Sequence, residues 1–222
     1  MRSENLGAIL AKQHAGRFRV VDYAELRRHA SSVARQILER HSGTASKVII
    51  APILLGGGLP ARLVVDALLP YNLVEDVTPC RIQRYSAVGV AAETVISMRL
   101  SAAFIAGKVL IGVDDLVDGG ETMQAFVEHA TATGAALVET AVMFAKPHST
   151  VAPDYVGEFG VTQWLVLPGE EHDFMHSIKQ SDSQVQALNP GETSIYFEEL
   201  GIDSAAVNEW GAMPRYNEAA QA

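Results

Sequence analysis

An α/β fold with a mostly parallel central sheet flanked by helices is what this 222-residue sequence predicts, and three observations carry the prediction. The apolar runs Lys47–Leu55, Val109–Val113 and Leu137–Phe144 are rich in β-branched residues and have the length of strands buried on both faces. Two of these runs lead through glycine turns into apolar helical stretches. Strands therefore alternate with helices, the order of βα units, and the sheet should hold about five strands.

The elements follow in order. Asp22-Tyr-Ala-Glu25 is a capping-box pattern, and Leu26, Ala30, Val33, Ala34, Ile37 and Leu38 continue at helical spacing until Gly43 closes the helix. The strand Lys47–Leu55 ends in Gly56-Gly57-Gly58-Leu59-Pro60, and a helix spans Ala61–Leu69. Val77–Ile82 and Thr94–Leu100 are two further strands joined by residues 83–93, a segment holding Tyr85 and Ser86. After Val109–Val113, the stretch from Asp118 through Gly119, Gly120, Glu121 and Thr122 opens a helix continued by Met123–Ala130. Glu171–His176 reads as a polar loop: its histidines at i and i+4 could share a metal, but no H-E-x-x-H and no third ligand accompany them.

Chemistry concentrates at the end of the strand Val109–Val113. Asp114 and Asp115 sit at its carboxyl end, where open α/β sheets bind ligands, so they would face a bound sugar or a hydrated cation. Mg²⁺ suits such oxygen ligands. Gly119 and Gly120 let backbone N–H groups converge on an anion at the helix start, and Thr122 adds a hydroxyl. The alternative is that Asp118 only caps the helix and the acid pair is a solvated loop.

This stretch resembles the phosphoribosyl diphosphate (PRPP) motif of type I phosphoribosyltransferases: a hydrophobic strand, Asp-Asp, two residues, Asp-Thr-Gly, then Thr, with Gly119 here in place of the first Thr. The resemblance implies that Asp114 and Asp115 hold the ribose hydroxyls directly or through Mg²⁺. It implies that Asp118, Gly119, Gly120, Glu121 and Thr122 wrap the 5′-phosphate and that Asp118 is the catalytic general base. Leu55, Gly56, Gly57 and Gly58 resemble the family's diphosphate loop, with Gly56 where a basic residue is usual. Residues 83–93 correspond to a flexible hood, in which Tyr85 and Ser86 stand in reversed order to the family's Ser-Tyr pair; the alternative is an exposed hairpin.

Ala145-Lys146-Pro147, Asp154-Tyr155-Val156 and Trp164-Leu165 resemble the xanthine-guanine, or 6-oxopurine, branch of that family. There Lys146 would donate to the 6-oxo oxygen, Trp164 would stack on the ring, Leu165 backbone groups would meet the 2-position, and Glu170 would assist a second metal. Taken singly, a surface lysine and a core tryptophan are the alternatives.

Composition fits an enzyme of this kind. With 48% hydrophobic residues the chain can bury a sizeable core, while a net charge of −9 argues against general nucleic-acid or anionic-membrane binding. The single cysteine, Cys80, excludes an intrachain disulfide and favours a reducing cytoplasm; it reads as a small buried hydrophobe. No apolar stretch approaches the ~20 residues of a membrane helix, and the N-terminus lacks the apolar core of a secretory signal. Residues 1–176 are expected to form the phosphoribosyltransferase-like domain with its hood, and 177–222 a C-terminal extension with short helices around Tyr196–Leu200 and Asp203–Trp210. The expected activity is 5-phosphoribosyl transfer from PRPP to guanine, xanthine or hypoxanthine with Mg²⁺, in purine salvage, by a homodimer. Alternatives are a silent PRPP- or nucleotide-binding module and a tailoring enzyme with a non-purine acceptor.

Overall fold

The computed structural model describes residues 5–43, 47–85 and 93–212. Along the chain run α1 (Leu6–His14), β1 (Phe18–Val20), α2 (Tyr23–His41), β2 (Val48–Leu54), α3 (Gly58–Leu68), β3 (Val74–Val77), β4 (Cys80–Tyr85) and β5 (Glu93–Met98). After these come α4 (Ala102–Ile105), β6 (Val109–Val117), α5 (Glu121–Ala132), β7 (Leu137–Ala145), β8 (Tyr155–Phe159), β9 (Trp164–Val166), α6 (Glu171–Ser181), α7 (Ser183–Ala187), α8 (Pro190–Glu199) and α9 (Ser204–Ala212). Among the described residues no helix is long and apolar enough to cross a membrane.

Packing divides the chain into two units, one formed by Ala24–Thr162 and the other by the segments before and after it. This is a different cut from the one expected at residue 176. The larger unit is built on a seven-stranded sheet of order β5-β4-β2-β6-β7-β8, with β3 also paired to β2. All these pairs are parallel except β4 with β5. The mostly parallel sheet is therefore as expected, with seven strands rather than about five.

Both faces of the central strands are covered, which is why β2 reads as an uninterrupted apolar run: Val48–Ile53 is buried throughout. Phe126, Met123 and Ala130 of α5 pack against Ile49, Ile53, Leu110 and Val142 in one core cluster. Gly112 is needed there because a Cβ on it would run into the Phe126 ring. Cys80 is buried in the same cluster, and burial pushes its thiol up to about 11.

One expected strand is two. Val77–Ile82 falls across β3 and β4, which pair in turn with the first and last thirds of the same edge of β2. Thr78 N–H still donates to Ile50 O, but Pro79 has no N–H to give and cannot continue a ladder.

In the second unit β1 and β9 form a two-stranded parallel sheet, and Leu10, Val166, Phe174, Met175, Ile178, Tyr196 and Phe197 share a core. His14 Nδ1 lies 2.7 Å from the Tyr196 hydroxyl, so α1 is tied to α8. The segment Glu171–His176, expected as a polar loop, opens α6: Phe174, Met175 and Ile178 are its buried stripe at helical spacing. The helix expected around Tyr196–Leu200 begins earlier, at Pro190. It follows the Asn189 cap, whose side chain accepts from Glu192 N–H in a complete capping box.

Candidate active site

The acid pair lies inside β6 rather than after it, because the ladder to β7 continues through Asp114 opposite Val142, Leu116 opposite Phe144 and Val117 opposite Ala145. Both carboxylates are half-buried. Asp115 N–H donates to Asp114 Oδ1 at 3.0 Å, and Leu116 N–H donates to Asp115 Oδ1 at 2.6 Å. Burial, then the neighbouring Asp115 charge, pushes the Asp114 carboxyl well above the usual carboxylate range; backbone N–H groups of Asp115 and Gly57 offset this only in part. Burial raises Asp115 as well, against the N–H of Leu116 and the hydrogen bond to Asp114. Two carboxylates crowded in this way are relieved by a cation, and an all-oxygen donor pair that leaves room for water suits Mg²⁺.

The glycine turn after β2 packs directly on this pair. A Cβ on Gly56 would sit 2.5 Å from Asp115 Oδ2 and 2.7 Å from its Cγ. A Cβ on Gly57 would collide with the Val113 carbonyl oxygen, and it would lie 2.8 Å from Ile53 O. Glycine at 57 is thus a requirement of backbone approach, and glycine at 56 leaves Asp115 its place. Leu55 is 76% exposed at the tip, and the Leu54–Leu55 peptide is cis. Gly58 already belongs to α3, which starts ahead of the expected Ala61.

The segment after β6 is laced to the segment after β7. Gly120, at φ 109°, caps α5 with no side-chain hydrogen bond, which leaves N–H groups of the first turn for an anion. Thr150 donates to Gly119 O through both N–H (2.9 Å) and hydroxyl (2.8 Å), and Val151 packs over Gly120. Asp118 does not cap the helix; its Oδ1 lies 2.6 Å from His148 Nε2. The Glu121 carboxylate folds back against Gly119, placing negative charge beside the turn. Thr122 is half-buried in the first turn.

Lys146, directly after β7, is buried, which removes the surface-lysine alternative; its N–H donates to Val117 O at 3.0 Å. In the other unit Trp164 is 66% exposed, so it is no core tryptophan, while the Leu165 side chain beside it is buried. The Glu170 carboxylate accepts from Leu167 N–H at 3.4 Å, ahead of α6. Of the hood pair, Tyr85 ends β4 and Ser86 lies outside the described residues. His172 Nε2 meets Ala206 O at 3.1 Å and His176 Nε2 meets Gln180 Nε2 at 2.9 Å, so the two histidines have separate engagements.

One residue escaped the sequence reading of roles. His148 had no assigned partner, although parallel strands necessarily bring the segments after β6 and β7 together. Arg81 pairs in register with Leu54, next to the glycine turn, and its Nε is buried with no hydrogen-bond partner. Arg62, Arg81 and Arg84 are the nearest candidates in sequence for the basic residue missing at Gly56, and an unsatisfied cationic donor beside the turn singles out Arg81.

An acid pair with two glycine turns at the carboxyl edge of a parallel sheet is an arrangement suited to a phosphorylated sugar. Residues 22–165 match the phosphoribosyl transferase domain, and the chain belongs to that family of enzymes. Among solved structures, the purine phosphoribosyltransferase from Pyrococcus horikoshii Ot3 is similar in fold, with a TM-score of 0.57 and 23% identity over 68% of this chain and 93% of that one. A hypothetical protein from Neisseria gonorrhoeae with bound ppGpp has a TM-score of 0.57 at 20% identity, over 68% and 88% of the two chains. Hypoxanthine phosphoribosyltransferase from Trypanosoma cruzi, in a ternary substrates complex, has a TM-score of 0.52 at 19% identity, over 63% and 79%. No curated protein matches the sequence.

The crowded carboxylates generate a stability prediction. A group whose folded value is raised holds its proton more tightly in the native state, so stability is present below the unfolded value, here 3.8, and is lost as pH rises toward the raised one. Asp114→Asn keeps an acceptor for Asp115 N–H and removes the charge. Without ligand or divalent metal at neutral pH, the variant should melt roughly 2–4 °C above the parent, about 1 kcal/mol for a chain this size. The gain should shrink as pH falls toward 4, about the unfolded carboxylate value, in calorimetric melts across pH.

Proposed function

We propose that this chain transfers the 5-phosphoribosyl group of PRPP to a ring nitrogen of a 6-oxopurine (guanine, xanthine or hypoxanthine), releasing diphosphate. The observation that carries the reading is the packing of the Gly56–Gly57 turn against Asp115, which sets the turn expected to meet a diphosphate directly beside the carboxylates expected to meet a ribose and its metal. Asp114 and Asp115 would hold Mg²⁺, with Glu170 as a ligand to a second ion. When bound, Mg²⁺ supplies positive charge against the departing diphosphate.

The chain's own groups do the rest. Leu55, Gly56, Gly57 and Gly58 cradle the diphosphate, and Asp118, Gly119, Gly120, Glu121 and Thr122 hold the 5′-phosphate. Together they fix C1 in line with leaving group and acceptor as oxocarbenium character develops. Asp118 accepts the proton of the purine, with His148 at 2.6 Å orienting its carboxylate. Buried Lys146 donates to the 6-oxo oxygen, and exposed Trp164 offers a stacking face, with Leu165 backbone at the 2-position. Purine salvage in the cytoplasm by a homodimer belongs to the same reading, supported by family likeness and by the lone, buried Cys80.

A second reading, a PRPP-binding module without turnover, is favoured by two departures: Gly56 in place of a basic residue and the Glu121 carboxylate beside the phosphate turn. Arg81 decides between them. If its guanidinium, whose buried Nε has no hydrogen-bond partner, replaces the missing loop cation, the charge it contributes acts mainly as the leaving group departs.

Diphosphate release from PRPP and Mg²⁺ with a panel of bases tests the whole. Asp114→Asn with Asp115→Asn should abolish Mg²⁺-dependent PRPP binding in calorimetry with circular dichroism unchanged; undiminished affinity would sink the phosphoribosyl reading. Lys146→Met and Trp164→Ala should each raise KM for the purine by roughly ten-fold or more, since stacking alone contributes about 1–3 kcal/mol, while PRPP affinity holds. Equal use of purines by both variants would move the acceptor to another class. Arg81→Ala should lower kcat by about 10²- to 10³-fold and leave PRPP affinity within a few-fold. An absence of turnover with every base in the parent, alongside tight PRPP binding, would establish the module instead.

A further inference from the structure

Beyond the phosphosugar site, the larger unit carries a group of ligating side chains on its outer edge. Among the described residues, Glu25, His29 and Glu158 are the one group of three His, Cys, Asp or Glu residues whose ligand atoms all lie within 4.8 Å of one another. His29 Nε2 is 3.7 Å from Glu25 Oε1 and 3.4 Å from Glu158 Oε2. We propose that these three residues form a binding site for a borderline divalent cation, Zn²⁺ foremost, with one coordination position left for water or an external ligand.

The geometry fits that ion. Zn²⁺ sits about 2.0–2.2 Å from imidazole nitrogen and carboxylate oxygen, so tetrahedral ligands lie roughly 3.3–3.5 Å apart. The two distances from His29 are already near this value without any large movement. An imidazole with two carboxylates selects Zn²⁺, Co²⁺ or Ni²⁺ over Mg²⁺, which prefers oxygen ligands in octahedral array. His29 and Glu25 side chains are each 18% exposed and Glu158 33%, so an ion can enter from solvent into a partly dry site.

The ligands are also held from behind. Glu25 and His29 are i and i+4 on α2 and share a face. Further along that face Gln36 Nε2 donates to Val156 O at 2.9 Å and Val156 N–H donates to Gln36 Oε1 at 3.4 Å. Arg40 Nε reaches Glu139 Oε1 at 2.8 Å in the final turns. The helix is thus fixed to β7 and β8 over most of its length. Gly157, next to Glu158, permits the close approach: a Cβ there would be 2.7 Å from His29 Cβ and 2.5 Å from Met143 O. The buried Phe144 ring packs on the imidazole in a T-shaped arrangement, with centroids 4.8 Å apart and planes at 65°. Ligands locked by packing in this way lose little entropy on binding.

The test uses the full chain, stripped with EDTA and dialysed, titrated with Zn²⁺ by calorimetry and with Co²⁺ by visible absorption. A saturable site is expected, with the intense bands of four-coordinate Co²⁺. His29→Ala and Glu158→Gln should each weaken it by roughly 100-fold or more. Asp114→Asn with Asp115→Asn, and separately His176→Ala, should retain it, which separates this site from the phosphosugar site and from the α6 histidines. Glu158 lies at the rim, so Glu158→Gln decides the matter if His29→Ala does not fold. Absence of saturable Zn²⁺ binding overturns the proposal, as does a signal that survives both His29→Ala and Glu158→Gln. A signal lost instead with the acid pair or with His176 overturns it equally.

Discussion

Parallel pairing of β2, β6 and β7 is the constraint on which the rest depends. It brings the carboxyl ends of three strands to one edge, and everything with chemical character follows from that edge. Gly57 meets Val113 and Gly56 meets Asp115 because β2 and β6 are neighbours in register. The residues after β6 and β7 hydrogen-bond to one another for the same reason, through Thr150 to Gly119 and His148 to Asp118. Parallel strands need crossovers, and the helices that make them, α3 and α5, each begin at a glycine turn on that edge.

The site is held at a cost that the core supplies. Two adjacent carboxylates lie half-buried at the end of a strand whose preceding residues, Leu110 to Val113, are completely buried. Such placement works against folding and in favour of binding: groups left unsatisfied in the free protein are those a charged ligand can satisfy. Arg81 Nε belongs to the same account from the other sign of charge.

Much of this was legible in the sequence because the chemistry is local. The acid pair, the glycine turns and the strands before them are contiguous runs, and their order alone implied a parallel sheet with acids and glycine turns at its carboxyl edge. What could not be read was non-local. That Asp118 faces His148, 30 residues on, depends on strand order. The division of one edge of β2 between two strands turns on Pro79, whose missing donor interrupts the ladder inside what reads as one run. Helix α6 was hidden by its polar first turn, since Phe174, Met175 and Ile178 only become a stripe once Val166, Tyr196 and Phe197 are present to receive it. The shortness of β1 and β9 left no pattern to find, and their pairing joins distant parts of the chain.

The Gln36 side chain has a wider meaning for the sheet. β8 is a terminal strand, and its outward backbone groups would otherwise invite another chain to add itself there. A single carboxamide, donating to Val156 O and accepting from Val156 N–H, reproduces the hydrogen bonding of one residue of an additional strand. The helix therefore closes the sheet sterically and chemically at once, so that growth of the sheet in that direction ends within the molecule itself.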